Sequence, residues 1–130
     1  LPEQTDDALI VYTSGSTGIP KGILSTFEPL DRNYPHTFGL AAPSPELVFG
    51  NGVPFYFMAI VFLYDMLRGG ATVHLYPDLV KTDAERLQRY ILDYGISVSH
   101  ISPAVLLRFR NRSSKLKAVI TAGERLTTQC

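Results

Sequence analysis

The chain of 130 residues has 45% apolar side chains and balances 12 Lys plus Arg against 12 Asp plus Glu, the composition of one soluble globular domain with a core of its own. A formal charge of zero, with acids and bases interspersed, provides no long-range field for a polyanion or an anionic surface, which excludes nucleic acid and membrane as expected partners. The one cysteine, Cys130, cannot close an intramolecular disulfide, the apolar run Val53–Leu67 contains Asp65 and is too short to span a bilayer, and "LPEQTDD" has no secretory pattern, so the expected setting is reducing and cytoplasmic.

In chain order, "ALIVY" (Ala8–Tyr12) is a continuous β-branched and aromatic run, predicted as a strand buried on both faces. The loop "YTSGSTGIPKG" (Tyr12–Gly22) follows it, then "ILST" as a second short strand. Phe27–Leu40 has helical spacing at Leu30, Tyr34 and Phe38, limited by Pro29 and Pro35. "APSPE" is a turn, "LVFG" a strand, Met58–Leu67 a helix stopped by Gly69-Gly70, and "ATVHLY" a strand. Thr82 and Glu85 have capping-box spacing; Ala84, Leu87, Ile91 and Tyr94 share one face of the helix they open, and Gly95 ends it. "ISVSHI" is predicted as strand, Ser102-Pro103 as the cap and first turn of a helix to about Phe109, and "LKAVIT" as the last strand. This alternation predicts an α/β fold, a mostly parallel sheet with flanking helices, uninterrupted by any repeat or low-complexity tract.

Parallel sheets bind ligands beyond the carboxyl ends of their strands, where the Ser/Gly loop is expected to lie. Counted from Gly15 as a Walker loop, it has Pro20 where the second glycine belongs and Gly22 where the hydroxyl belongs. A nucleophile elbow is absent too, because the glycines around Ser16 are wrongly spaced, and the third glycine of a dinucleotide fingerprint is missing. Two readings remain. The glycines allow backbone N–H groups to converge on an anion such as phosphate, with the hydroxyls of Thr13, Ser14, Ser16 and Thr17 and the charge of Lys21 as further donors; a flexible Ser/Gly turn fits the composition equally well.

The order of the residues goes further. "YTSGSTGIPKG" resembles, position for position, the signature loop of the adenylate-forming superfamily, which includes nonribosomal peptide synthetase adenylation domains, acyl-CoA synthetases and luciferases. "LRGGATVHLYP", "ISVSHISPAVL" and "LKAVITAGERLT" are similar to successive core segments of the same catalytic domain, in the same order. The resemblance implies that residues 1–130 are part of one AMP-binding (adenylation) domain, within the large N-terminal domain of an adenylate-forming enzyme, with no second domain present. It implies a ligase that joins a carboxylate to the α-phosphate of ATP, releases pyrophosphate and passes the acyl group to a thiol, either a carrier-protein phosphopantetheine or CoA. Carried over, Thr13, Ser14, Gly15, Ser16, Thr17, Gly18 and Lys21 hold the leaving pyrophosphate, which places charge stabilisation where phosphoryl-type displacement needs it. Pro20 fixes local backbone shape or is a plain turn proline. Ala122 and Gly123, in "AGERL", are expected beside the adenine and the acyl pocket, where small residues let a flat ring approach.

The acyl pocket departs from the family pattern. Amino-acid-activating members carry Phe-Asp-x-Ser before the long apolar helix; here Phe55-Tyr56-Phe57-Met58 occupies that place, with Tyr56 at the Asp and Met58 at the Ser. A buried ammonium without that counter-charge costs several kcal/mol, which points away from an ordinary α-amino acid. "VPFYF" is also similar to the Pro-Phe-His stretch of acyl-CoA synthetases, again with Tyr56 at the mismatch. The implied lining is Tyr56, Phe57, Ile60, His100, Ile120 and Ala122, suited to an aryl, keto, hydroxy or fatty acid. Phe57 and Ile60 also fit helix core, and His100 also fits a satisfied core histidine at a strand end. His36 and His74 are read as structural or surface residues. The family's magnesium-binding Glu, ribose-binding Asp and C-terminal catalytic Lys are not matched, so Mg2+ is expected to be held outside these residues. The expectation is a fragment, inactive by itself and prone to self-association along an exposed edge strand. An acyl-CoA synthetase-type ligase is one alternative; a truncated, non-catalytic nucleotide- or partner-binding module is another.

Overall fold

The computed structural model describes residues 3, 5–13, 18–26, 28, 43–54 and 59–122, with residues 13 and 59–62 described in their backbone. The helical spacing read over Phe27–Leu40 and the helix start at Met58 fall outside, or almost outside, these residues.

The "ALIVY" run forms β1 (Asp7–Thr13), which pairs antiparallel with β2 (Lys21–Thr26) in register from Ile10–Leu24 to Thr13–Lys21. It is not buried on both faces: Ile10, Tyr12, Ile23 and Leu24 are each more than half exposed. A continuous apolar run marks surface that needs cover, but strand pairing satisfies only the edge. This ribbon pairs with no other described strand, so its faces stay open. The Ser/Gly loop accordingly closes a hairpin and does not leave the end of a parallel strand.

The remaining strands form the parallel sheet expected from the sequence: β3 (Val48–Asn51), β4 (Thr72–Leu75), β5 (Val98–His100) and β6 (Ala118–Ile120), in the order β4-β3-β5-β6. Period-two alternation divides its side chains between two cores. Phe49, Val98 and Ile120 pack with Leu47, Ala71 and with Leu63 and Met66 of α1 (Ala59–Arg68). The other cluster joins Tyr76, Leu87, Ile91, Ile96, Ile101, Val105, Phe109 and Leu116, with Val48 against it.

The helices end where the glycines predict. After α1, the N–H of Ala71 reaches the Met66 carbonyl at 2.9 Å with Gly70 at φ +80°; after α3 (Ala84–Tyr94), Ile96 reaches Ile91 at 3.1 Å with Gly95 at φ +63°. Both are Schellman closures, for which glycine is the unstrained residue. The start of α3 differs from the expected capping box. A short helix, α2 (Asp78–Lys81), precedes it and engages Thr82, whose hydroxyl donates to the Asp78 carbonyl at 2.9 Å. Asp83 caps α3 instead, accepting from the N–H groups of Glu85 at 3.0 Å and Arg86 at 2.9 Å. Tyr94 leaves the face of Leu87 and Ile91 and is half exposed, tilted against Tyr90 and His74. The helix expected to reach Phe109 is only α4 (Pro103–Leu106), and the Ser102 side chain does not cap it. Beyond Leu106 the chain tightens into three-residue turns, Arg108 to Val105 and Phe109 to Leu106, which bring Phe109 into the core. No helix among the described residues is long and apolar enough to cross a membrane.

Candidate functional site

The chain leaves β3 toward β4 on one side and leaves β5 toward β6 on the other, so the sheet has its topological switch between the carboxyl ends of β3 and β5. A crevice at such a point is where open parallel sheets bind ligands. Asn51 ends β3, His100 ends β5, and Ile120 ends β6 directly opposite His100. Ala122 follows two residues later and is exposed.

Close packing fixes this edge. A Cβ on Gly52 would lie 2.6 Å from the His100 carbonyl oxygen, so only glycine lets the β3 exit approach β5 this closely. Asn51, buried, turns the same exit: its Nδ2 donates to the Val53 carbonyl at 2.8 Å and its Oδ1 accepts from the Val53 N–H at 3.3 Å. On the opposite face Gly50 leaves room for Tyr76, whose hydroxyl would be 1.8 Å from an added Cβ and is hydrogen-bonded to Ser99 Oγ at 2.8 Å. Burial pushes the Tyr76 phenol up to about 12, and the bond to Ser99 offsets only part of that rise.

Two buried polar atoms at the edge have no hydrogen-bond partner among the described residues: His100 Nδ1 and Thr121 Oγ1. His100 is therefore a buried histidine but not a satisfied one. Burial lowers its pKa, which keeps the ring neutral near pH 7 and able to donate or accept one hydrogen bond. Such a pair can orient a polar group on a bound molecule; it cannot neutralise a full negative charge. His74, one residue before the end of β4, is half-buried beside Tyr90 and Tyr94.

Of the residues singled out from sequence, His100, Ile120 and Ala122 come together at the ends of β5 and β6. Thr13 ends β1 and is paired with Lys21, which starts β2 and is exposed. Gly18, between them, has φ +78° and open space where a Cβ would be. Lys21, exposed at one end of this loop, and the left-handed glycine within it are compatible with an anion. Ile60 lies in α1. Ser14, Gly15, Ser16, Thr17, Tyr56, Phe57 and Gly123 lie outside the described residues. Sequence reading passed over Asn51, Gly52 and Thr121; the only signal was "GNG" at the end of a predicted strand. Among the described residues no three His, Cys, Asp or Glu side chains gather as a metal site.

Residues 1–130 match the family described as AMP-binding enzyme. The chain is 33% identical over 127 residues to malpibaldin synthetase of Mortierella alpina, covering 92% of this chain and 2% of that protein. It is 33% identical over 106 residues to an L-proline--[L-prolyl-carrier protein] ligase of Pseudomonas fluorescens, covering 80% of this chain and 21% of that one. Among solved structures, McyG A-PCP complexed with phenylalanyl-adenylate superposes with a TM-score of 0.80 at 24% identity, over 97% of this chain and 25% of that one, a likeness of fold. The chain thus spans a small part of the length of the relatives it matches.

Proposed function

The chain belongs to the AMP-binding enzyme family, and from that premise we propose that it is part of an ATP-dependent carboxylate-AMP ligase. The reaction joins a carboxylate oxygen to the α-phosphorus of ATP and breaks the bond to the leaving pyrophosphate. The carrying observation is the sheet edge at the topological switch, where His100, Ile120 and Ala122 lie at the ends of β5 and β6, with His100 Nδ1 and Thr121 Oγ1 buried and without a partner among the described residues. These groups receive the acid and orient its polar substituent. Lys21, Gly18 and the loop residues Thr13, Ser14, Gly15, Ser16 and Thr17 grip the β- and γ-phosphates and spread the charge released on the leaving group. Mg2+ would screen the phosphate charge; among the described residues no three His, Cys, Asp or Glu side chains gather to hold it. A thiol acceptor follows; relatives named as synthetases and as a carrier-protein ligase favour a carrier-protein thiol over CoA. A cytoplasmic setting suits an ATP-consuming enzyme of this kind.

The substrate reading rests on Tyr56. With a phenol where amino-acid-activating relatives have a carboxylate, the pocket suits a carboxylic acid lacking a free α-ammonium, such as a keto, hydroxy or aryl acid. The test is acid-dependent exchange of labelled pyrophosphate into ATP by the full-length protein, with amino acids compared against their hydroxy and keto counterparts. Exchange led by the uncharged counterparts is expected. Exchange led by an amino acid would overturn the substrate reading, and no exchange with any acid would overturn the ligase.

A further inference from the structure

Away from the sheet edge, α3 and the segment after α4 enclose a hollow of about 280 Å³ lined by Arg89, Arg108, Arg110, Arg112, Gln88 and Leu92. We infer that this hollow docks an extended acidic peptide segment of a protein partner, a role independent of the ligase reading.

The arginines are held on a fixed support. Phe109, between two of them, is buried in the core; Ser113 is buried, and its N–H donates to Asn111 Oδ1 at 2.9 Å. Arg108, Arg110 and Arg112 are exposed, and Arg89 joins them from the neighbouring strip of α3. Glu85 is the only acid in the lining, and none of the four guanidiniums has a carboxylate within ion-pair distance among the described residues. In a chain of zero net charge this is a local concentration of positive charge, not part of a basic surface.

Gln88 supplies the independent observation. It is 7% exposed, lines the hollow, and has both Nε2 and Oε1 without a partner among the described residues. Native interiors rarely leave a buried amide unpaired. A primary amide offers one donor and one acceptor side by side, the complement of a peptide group, while the arginine forks match side-chain carboxylates. A second hollow shares Ala84, Glu85 and Arg108 with the first and extends the groove toward Thr82 and Asp83, so that acids lie at this end and the arginines at the other. From Ala84 to Leu92 the helix rises about 12 Å, room for roughly four extended residues. Leu92, 45% exposed, gives an apolar side chain of the ligand a surface at one end.

The test uses the full-length protein and the fluorescence anisotropy of a labelled peptide of alternating Glu and Leu, about eight residues long, with a Lys/Leu peptide and inorganic phosphate as controls. The Glu peptide should bind saturably and the Lys peptide should not. Arg110→Glu with Arg112→Glu, both at exposed positions, should weaken binding about tenfold or more, and Gln88→Leu about fivefold. Non-saturable binding of the Glu peptide overturns the proposal, as does undiminished binding by the charge-reversed protein. Equal binding by Gln88→Leu reduces it to unspecific charge attraction, and displacement of the peptide by millimolar phosphate makes the hollow an anion site instead.

Discussion

β1 and β2 are as apolar as β3 and β5, yet the two pairs end in opposite situations. Phe49 and Val98 are buried between helices and neighbouring strands, while Ile10, Tyr12, Ile23 and Leu24 face solvent. Apolar strands become a core only when a second layer covers them, and the described residues supply that layer to the parallel sheet alone. The division coincides with the two halves of the proposed chemistry. The proposed acid-binding edge lies on the doubly covered sheet, where Gly52 and Asn51 fix the backbone. The phosphate loop sits on a ribbon held by its own pairing, the kind of element that opens at low free energy.

Substitutions separate the two regions, beginning with the most damaging. Ile91→Ala in the core should cost about 2–5 kcal/mol in urea denaturation, from the lost transfer energy and the cavity. Gly50→Ala should cost about 1–3 kcal/mol, since the new methyl meets the Tyr76 hydroxyl and ring within a packed interior. Tyr76 also sets an alkaline limit. Its folded pKa, raised to about 12, lies above the ordinary 10.0, so its contribution is complete below pH 10 and is lost as pH rises toward 12. Tyr76→Phe should flatten that part of the stability profile and leave Ser99 unpaired, at about 1 kcal/mol. His100 sets an acid limit by the mirror logic: its folded pKa is lowered from 6.5, so its contribution is present above that value and fades as pH falls through the folded one. His100→Leu should remove that acid-side slope.

Ile23→Ala should have the smallest effect, within about 0.5 kcal/mol in the 130-residue chain, because Ile23 is 54% exposed. In a longer protein that covers the hairpin, the same substitution should approach the cost of a buried isoleucine. An unchanged small cost there would mean the ribbon is exposed by design.

Much of the sheet was legible because short apolar runs between glycine stops have one economical arrangement: the four parallel strands and the glycine ends of α1 and α3 follow from it. The hairpin was not, since a continuous run such as "ALIVY" reads the same whether or not a layer exists to cover it. Nor was the cap of α3, because Thr82 and Asp83 are both good caps and only the unforeseen α2 decides between them. At the candidate site, His100, Ile120 and Ala122 came from the family resemblance, and the parallel register of β5 and β6 brings them to one edge. Gly50 and Gly52 needed coordinates, since the atoms that exclude a side chain there belong to Tyr76 and His100, distant in sequence.

The central claim is that the loop closed by Thr13 and Lys21 grips the pyrophosphate while the sheet edge receives the acid. Acid-dependent pyrophosphate exchange by the full-length Lys21→Ala protein tests it most directly. Lys21 is exposed, so folding should be unaffected, the KM values for ATP and pyrophosphate should rise about tenfold or more, and the KM for the acid should change little. Unchanged nucleotide kinetics, or a loss confined to the acid, would contradict the account.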